Sequence, residues 1–106
     1  MALIFTYKDN EYTLEFTRNT VMETERMGFD MDKIDSAPVT SLTLLFRGAF
    51  LAHHRTLTIA EVDEILTNID KDGLLTALGR LYMDAIKPLI ENEEHSKNAI
   101  KWTVKT

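Results

Sequence analysis

A short polar run in the middle of the chain has the residue types of a calcium-binding loop. It reads Asn-Ile-Asp-Lys-Asp-Gly from Asn68 to Gly73. An EF-hand loop needs hard oxygen ligands, with an aspartate at its first position and a bidentate glutamate at its twelfth. Here those two positions hold Asn68 and Gly79, so two of the strongest ligands are missing. We predict a polar turn between two helices and no metal site.

The histidines lack the spacing of a metal site or of a catalytic base. His53 and His54 are adjacent, so on a helix their side chains point about 100° apart and cannot chelate one ion. His95 is remote in the sequence, and no cysteine is available as a zinc ligand. No nucleophile or carboxylate stands near them in the pattern of a catalytic triad. We predict one packed and one solvated histidine.

The carboxylates and glycines do not indicate an active site either. Glu61, Asp63 and Glu64 fall on the polar face of an amphipathic helix, where solvated charges are usual. The four glycines form no phosphate-binding loop. We predict a non-enzymatic protein with no catalytic residue, no metal and no cofactor.

Composition and charge exclude several classes of partner. The 106-residue chain has a net charge of -5, a pI near 5.1 and no cysteine. An acidic surface repels phosphate backbones, so no nucleic-acid binding is expected, and a chain without thiols is compatible with a reducing compartment. The N-terminus lacks a signal-peptide pattern, and no apolar stretch approaches the ~20 residues that span a bilayer. We predict one soluble domain, 1–106, in the cytoplasm and without membrane association.

The first part of the chain, residues 1–17, predicts a β-hairpin. A two-residue turn at Asp9 and Asn10 would place Tyr7 opposite Tyr12. Alternation then puts the large apolar side chains on one face, which must pack on the helices that follow because an isolated hairpin is marginal in water. That face consists of Leu3, Phe5, Tyr7, Tyr12, Leu14 and Phe16.

Residues 20–92 predict about four helices, which makes the fold α+β and mainly α. Capping boxes beginning at Thr20 and Thr58 predict a short helix over about 21–27 and a longer one from Ile59. Residues 28–37 lack periodicity and predict a loop with a turn of helix. The last helix begins at Leu74 and should end or kink at Pro88.

The second helix, from Pro38, is apolar on nearly every side. One face is formed by residues at helical spacing up to His53, and Leu44 and Leu51 fall outside it. Such a helix is either buried on several sides or exposes a docking surface. Gly48 permits the close approach of another helix. The inward face is predicted to hold Val39, Leu42, Leu45, Phe46, Ala49, Phe50 and His53.

The tail, residues 93–106, differs in composition from the rest. Three lysines follow Glu94 without any acid, and apolar residues alternate with polar ones as in a strand. The tail is expected either to add a third strand to the hairpin or to be mobile until a partner binds.

Five large apolar residues are the candidates for binding another protein. They are of the types that anchor interfaces, and core packing is the alternative for each of them. Core packing is favoured for Phe46 and Phe50, whereas the two interpretations are balanced for the others. The candidates are Leu44, Leu51, Trp102, Phe46 and Phe50.

The order of elements resembles that of a known group of viral proteins. The likeness rests on five elements in a fixed order. They are the hairpin, the short capped helix, the Leu-rich helix with Leu44-Leu45-Phe46-Arg47-Gly48-Ala49-Phe50, the helix that begins Thr58-Ile59-Ala60-Glu61-Val62, and a Leu-rich last helix. Together they resemble the small tail-assembly proteins of long-tailed bacteriophages and prophages. Those proteins act as chaperones for the tape measure protein and have no catalytic residues.

The resemblance implies a role in a bacterial host cell. The partner would be a long, apolar, helical chain that would otherwise aggregate, and the chaperone would shield it through an apolar groove. Self-association is also expected from the surplus of apolar helix surface. Two alternatives stay open: a structural virion component, such as a tail or head–tail completion protein, and a small regulatory adaptor.

Overall fold

Two strands and four helices follow one another in the computed structural model, which describes residues 1–92 and 99–105. The strands are β1 (Leu3–Tyr7) and β2 (Asn10–Leu14). The helices are α1 (Arg18–Arg26), α2 (Pro38–Phe50), α3 (Ile59–Asn68) and α4 (Leu74–Ile90), and a 3₁₀ turn at Met31–Lys33 lies in the predicted loop. The prediction of an α+β, mainly α fold with an N-terminal hairpin on four helices is confirmed.

The hairpin has the predicted inward face but a different register. Phe5 lies opposite Tyr12, where Tyr7 was expected. The turn is at Lys8 and Asp9, one residue earlier than predicted, and both residues have positive φ, 50° and 66°. Two successive left-handed residues give the turn whose twist matches that of paired strands. The register therefore shifts by two residues, and since side chains alternate with a period of two, the inward face is unchanged.

Helix α1 begins at Arg18, three residues before the predicted start. Thr17 caps it, because its Oγ1 accepts the Thr20 N–H at 3.3 Å. Thr20 Oγ1 in turn accepts the Thr17 N–H at 2.8 Å. A hydroxyl thus takes the place of the Glu or Gln in the usual capping box. The predicted box from Thr20 to Glu23 is wrong, and Glu23 is free to pair with another element.

Helix α2 approaches α1 closely at Gly48. A Cβ at Gly48 would overlap Thr24 Oγ1 and lie 3.0 Å from Thr24 Cβ, so the predicted close approach of a second helix is confirmed. The predicted inward face is wrong at both ends. Val39 is 78% exposed, because the inward position of the first turn is occupied by Ser41, and the helix ends at Phe50, before His53.

Helices α3 and α4 are joined by the predicted polar turn. Glu61 N–H donates to Thr58 Oγ1 and Thr58 N–H donates to Glu61 Oε1, each at 3.1 Å, which confirms the second capping box. In the turn, Asp70 Oδ1 accepts the Asp72 N–H at 3.0 Å, as in an ordinary Asx turn. Helix α4 ends two residues after Pro88.

The hairpin and the four helices together enclose the core, and α2 contributes Leu45, Phe46, Ala49 and Phe50 to it. Aromatic rings fill much of it: Phe50 contacts Phe5, Tyr12 and Phe46, while Tyr82 packs edge-on against Phe16 and Phe29. Such edge-to-face pairs add to the stabilisation that comes from buried area alone. The buried apolar residues are Leu14, Phe16, Val21, Phe29, Leu45, Phe46, Ala49, Phe50, Val62, Ile65, Leu74, Leu78, Leu81 and Tyr82.

The described part of the tail contains no regular element. Residues 99–105 form neither helix nor strand, so the third strand considered for the tail is not formed within this chain's described residues. Residues 93–98 and 106 of the predicted tail lie outside the described residues. Among the helices of residues 1–92, none has both the length and the apolar character to cross a membrane.

Candidate protein-binding groove

Helix α2 has a second apolar side beside the one that faces the core. Leu44, Arg47 and Leu51 follow at intervals of three and four residues, which aligns their side chains along one side of the helix. They border a groove of about 290 Å³, here called the α2 groove. Its other walls come from the end of α1 and from the segment that leads into α3. The lining residues are Met27, Leu44, Arg47, Phe50, Leu51, His54, Leu57 and Ile59.

The lining of the α2 groove is mostly apolar and partly open to water. Only Arg47 and His54 of its lining carry a titratable group. Ile59, at the first position of α3, is 62% exposed, and Met27 is also exposed. Covering such surface is favourable by about 25 cal/mol per Å² of apolar area. The groove can therefore bind projecting apolar side chains, and methionine adapts readily to their shape.

Two arginine–carboxylate pairs fix the walls of the α2 groove, and the first joins α2 to α3. Arg47 Nη2 donates to Asp63 Oδ2 at 2.7 Å, and Arg47 Nε donates to Asp63 Oδ1 at 3.0 Å. This bidentate arrangement is the geometry that arginine favours with a carboxylate. The hydrogen bonds from Arg47 lower the pKa of Asp63 below its ordinary value of 3.8. Both side chains are half-exposed, so water weakens the attraction.

The second pair joins α1 to the segment between α2 and α3. Arg55 donates through Nη1 and Nη2 to the two carboxylate oxygens of Glu23, at 3.1 and 3.0 Å. These hydrogen bonds lower the pKa of Glu23, which therefore stays ionised at neutral pH. Each pair links two different elements, so together they cross-link α1, α2 and the start of α3 around the groove, with a small contribution from each exposed pair.

His54 lies at the end of the α2 groove and connects it to the hairpin. Its Nε2 accepts the Thr13 N–H at 2.9 Å, so this nitrogen carries no proton. Burial lowers the pKa of His54 below 6.5, and the charge of His53 lowers it further. Its ring also packs edge-on against Tyr12 and Phe50. His54 is thus a structural, neutral histidine at neutral pH.

His53, by contrast, faces water. Its Nε2 lies 2.6 Å from Glu15 Oε1, and its side chain is exposed. The sequence predicted one packed and one solvated histidine, and the structure places His54 and His53 in these two roles. The two ring centroids lie 6.3 Å apart, and the rings have different partners, Glu15 for His53 and the Thr13 N–H for His54.

The five predicted binding residues lie in three different environments. Leu44 and Leu51 line the α2 groove together and are half-buried. Phe46 is fully buried in the core, and Phe50 is 1% exposed and forms the floor between the core and the groove. Trp102 is 80% exposed in the tail and does not line the groove. Leu44 and Leu51 are therefore the two candidates that share one surface.

Met27, Leu57 and Ile59 belong to the groove but were not among the predicted binding residues. They stand at the ends of helices: Met27 caps the end of α1, and Ile59 is the first residue of α3. Leu57 precedes the Thr58 cap, a position from which an apolar residue commonly packs on the first turn of a helix. The position of Leu57 just before the Thr58 cap was the one signal in the sequence that could have identified a residue of this group. The approach of Met27 to Ile59 depends on tertiary packing, which the local pattern does not encode.

A second, more polar cavity lies between the 3₁₀ turn and α4. It has a volume of about 510 Å³, and Glu25, Asp30 and Asp32 are among its lining residues. Burial raises the pKa of Tyr82, at its base, to about 12, and the charges of Glu25 and Asp30 raise it as well. Tyr82 therefore stays protonated at neutral pH. Over residues 1–92 and 99–105, no group of three or more His, Asp or Glu side chains is placed to hold a metal ion.

Comparison with known proteins assigns the chain to a family. A family model described as a domain of unknown function, DUF5055, matches residues 1–106. The chain therefore belongs to this family. No curated protein and no solved structure matches it.

Proposed function

We propose that this member of the DUF5055 family is a non-enzymatic protein-binding module that holds an apolar helix of another protein in the α2 groove. The observation that carries the proposal is the groove itself: Leu44 and Leu51, singled out from the sequence, line one apolar surface with Met27, Leu57 and Ile59. Amphipathic helices bind in such grooves through anchors spaced three, four and seven residues apart.

The size of the groove favours side chains over an enclosed ligand. The groove's volume of about 290 Å³ is just below the ~300–1,000 Å³ found for small-molecule pockets. Arg47 of the lining and Asp63, which lies outside the lining, are already paired with each other. A partner that covers the groove therefore needs no charged group of its own to satisfy them, which fits an apolar helix.

We propose further that the chain is a tail-assembly chaperone of a bacteriophage or prophage and that its partner is the tape measure protein. The support is the resemblance in element order together with the groove. A tape measure is a long, apolar, helical chain, and many copies of a small acidic protein could cover it before the tail tube encloses it. The net charge of -5 would keep the assembly soluble through mutual repulsion, in the cytoplasm of the host cell.

Co-expression with a tape measure protein tests this proposal. Wild-type chain should keep the tape measure protein in the soluble fraction, whereas Leu44→Asp plus Leu51→Asp should not, because two charges would be desolvated in the groove. Val39→Asp is the matched control, since Val39 lies on the same helix, is 78% exposed and does not line the groove. Because Leu44 also packs against the core, circular dichroism should first show that the double variant stays folded. Equal solubility of the tape measure protein with the folded double variant and with the control would contradict the proposal.

The composition of purified particles separates the chaperone from a structural virion component. A chaperone acts before the tail is complete, so mass spectrometry of purified particles should not detect the chain. Stoichiometric amounts of the chain in particles would instead identify a tail or head–tail completion protein. Capture of a globular host protein by the α2 groove, in place of a helical chain, would identify a regulatory adaptor.

A further inference from the structure

The two outer edges of the hairpin differ in what covers them. In this register Tyr7 and Asn10, next to the turn, exchange backbone hydrogen bonds, and so does every second pair along the hairpin. The backbone N–H and C=O groups of the residues in between point away from the partner strand, towards the outer edges. On the β2 side, two outward N–H groups are bonded to the end of α2 or to the residues just after it. Thr13 N–H donates to His54 Nε2 at 2.9 Å, and Glu15 N–H donates to the Ala49 carbonyl at 3.1 Å.

The outer edge of β1 is open. Ile4 and Thr6 are its outward-facing residues, and within residues 1–92 and 99–105 no group outside the hairpin forms a hydrogen bond with their backbones. Natural proteins usually protect such edges with a proline, a bulge or an inward-pointing charge. β1, which reads Leu-Ile-Phe-Thr-Tyr, has none of these, and only Lys8 in the turn brings a charge near its end. This edge can accept another strand.

An apolar cavity lies beneath this edge. It has a volume of about 260 Å³ and separates the start of β1 from the first half of α4. Leu3 points inward from β1, and Ala77 and Leu81 face it from α4. Because a strand added to β1 would also alternate, its inward side chains would point towards this cavity. Its full lining is Met1, Ala2, Leu3, Ala77, Arg80 and Leu81.

The tail has the pattern of the missing strand. Ile100, Trp102 and Val104 alternate with polar residues and are 92%, 80% and 75% exposed, so none of them packs on its own chain. Charge is complementary as well. Residues 1–92 contain fifteen Asp and Glu against nine Lys and Arg, whereas residues 95–106 contain three Lys and no acid. The tail is thus attracted to the acidic body of another molecule.

We propose that residues 100–104 of a second copy of this chain pair with β1 as a third strand, with Trp102 in the cavity between Leu3 and Leu81. The second copy is the occupant because, among the described residues of one molecule, the β1 edge and the tail are both left uncovered while matching each other in length and alternation, and the basic tail is complementary in charge to the acidic body as a whole. Each molecule offers both surfaces, so two copies exchange tails reciprocally and form a closed, symmetric dimer. This dimer does not involve the α2 groove, so it stands independently of the proposed chaperone function.

The mass of the full chain in solution and its tryptophan fluorescence together test the dimer. Trp102 is the only tryptophan, so its emission reports on the tail alone. With rising concentration, light scattering should show the mass doubling, and the emission should shift to shorter wavelength as Trp102 leaves water. Trp102→Ala should weaken dimerisation by roughly tenfold or more, as removal of a buried aromatic anchor does. Thr103→Ala, in the same segment, is the matched control and should leave it nearly unchanged.

A variant of the edge provides the complementary test. Thr6→Pro removes an outward N–H that the hairpin itself does not use, and proline is tolerated on an edge strand in this orientation. It should abolish dimerisation while circular dichroism shows an unchanged fold. Thr6→Ala keeps the N–H and should still dimerise. Mixing Thr6→Pro with Trp102→Ala should restore a dimer that is weaker than the wild-type one, since one intact tail meets one intact edge while the second tail–edge pair stays broken.

Three outcomes would overturn the proposal. A monomer at every concentration with water-exposed Trp102 would show that the tail binds nothing. A monomer with shifted emission would show that the tail binds its own edge. A dimer that forms equally well with Trp102→Ala would place the interface elsewhere, and this test holds even if Thr6→Pro fails to fold.

Discussion

The two apolar sides of α2 are chemically alike and differ in what covers them. The core side, with Phe46 fully buried, is enclosed by the hairpin and the other helices. The groove side, with Leu44 and Leu51, is bordered by Met27 and Ile59, which are exposed. A buried face stabilises the fold, whereas a half-covered face keeps part of its apolar area for a partner. Stability should therefore depend mainly on Phe46 and binding mainly on Leu51, while Leu44 and Phe50 contact both sides.

The largest expected effect is on the core side. Phe46→Ala should lower the free energy of unfolding by about 3–5 kcal/mol, because it removes a fully buried ring and leaves a cavity. Urea unfolding followed by circular dichroism measures the change. Val39→Ala, at an exposed position of the same helix, should change stability by less than about 0.5 kcal/mol. Similar values for the two variants would contradict the assignment of the core side.

A smaller loss of stability is expected from crowding of α1 and α2. Gly48→Ala should cost about 1–3 kcal/mol, because its Cβ would overlap Thr24 and the two helices would have to separate. Gly79→Ala is the control: it is helical with no atom within 4 Å of the new Cβ, so it should stabilise by about 0.5–1 kcal/mol. Thermal unfolding of both variants should shift in opposite directions, and a loss of stability in both would argue against the close approach.

Acid should weaken the end of the groove through His54. Its pKa is lowered in the folded chain, so the unfolded chain binds the proton more tightly, and stability is complete above pH 6.5 and falls as the pH drops below that value. Protonation removes the acceptor for the Thr13 N–H, worth about 1 kcal/mol. Unfolding measured from about pH 8 to about pH 5 should show this loss. His54→Gln, which offers an acceptor that does not titrate, should flatten the profile, and an unchanged profile would exclude His54 as the cause.

The smallest effect on stability is expected on the groove side. Leu51 lies outside the packed core, so Leu51→Asp should lower the free energy of unfolding by less than about 1 kcal/mol. Urea unfolding checks this value. A loss as large as that of Phe46→Ala would show that Leu51 is a core residue and would remove the distinction between the two sides of α2.

Much of the fold was predictable because local patterns determine it. The inward face of the hairpin follows from alternation, which is why a two-residue error in register did not change it. The α3 cap follows from the Thr58–Glu61 spacing. The predicted start of α1 was wrong because Thr20, at the third helical position, completes the capping box as a glutamate would. The sequence pattern alone does not decide between a box that begins at Thr17 and one that begins at Thr20.

The groove was only half predictable. Leu44 and Leu51 could be found because they fall outside the main apolar stripe of α2. Phe46 and Phe50 were candidates by residue type alone, and burial distinguishes them from the other two. Met27 and Ile59 come from other helices, and their approach is set by tertiary packing and by the Arg47–Asp63 and Arg55–Glu23 pairs. Those contacts join residues distant in sequence, which a single chain's periodicity does not reveal.

The most direct test of the two-sided α2 is a methyl NMR titration of the full chain with a helical segment of a tape measure protein. The methyl signals of Met27, Leu44, Leu51 and Ile59 should shift on binding, while that of the exposed Val39 should not. Shifts confined to the hairpin edge or to the tail, with the groove signals unchanged, would contradict the assignment of the α2 groove as the binding surface.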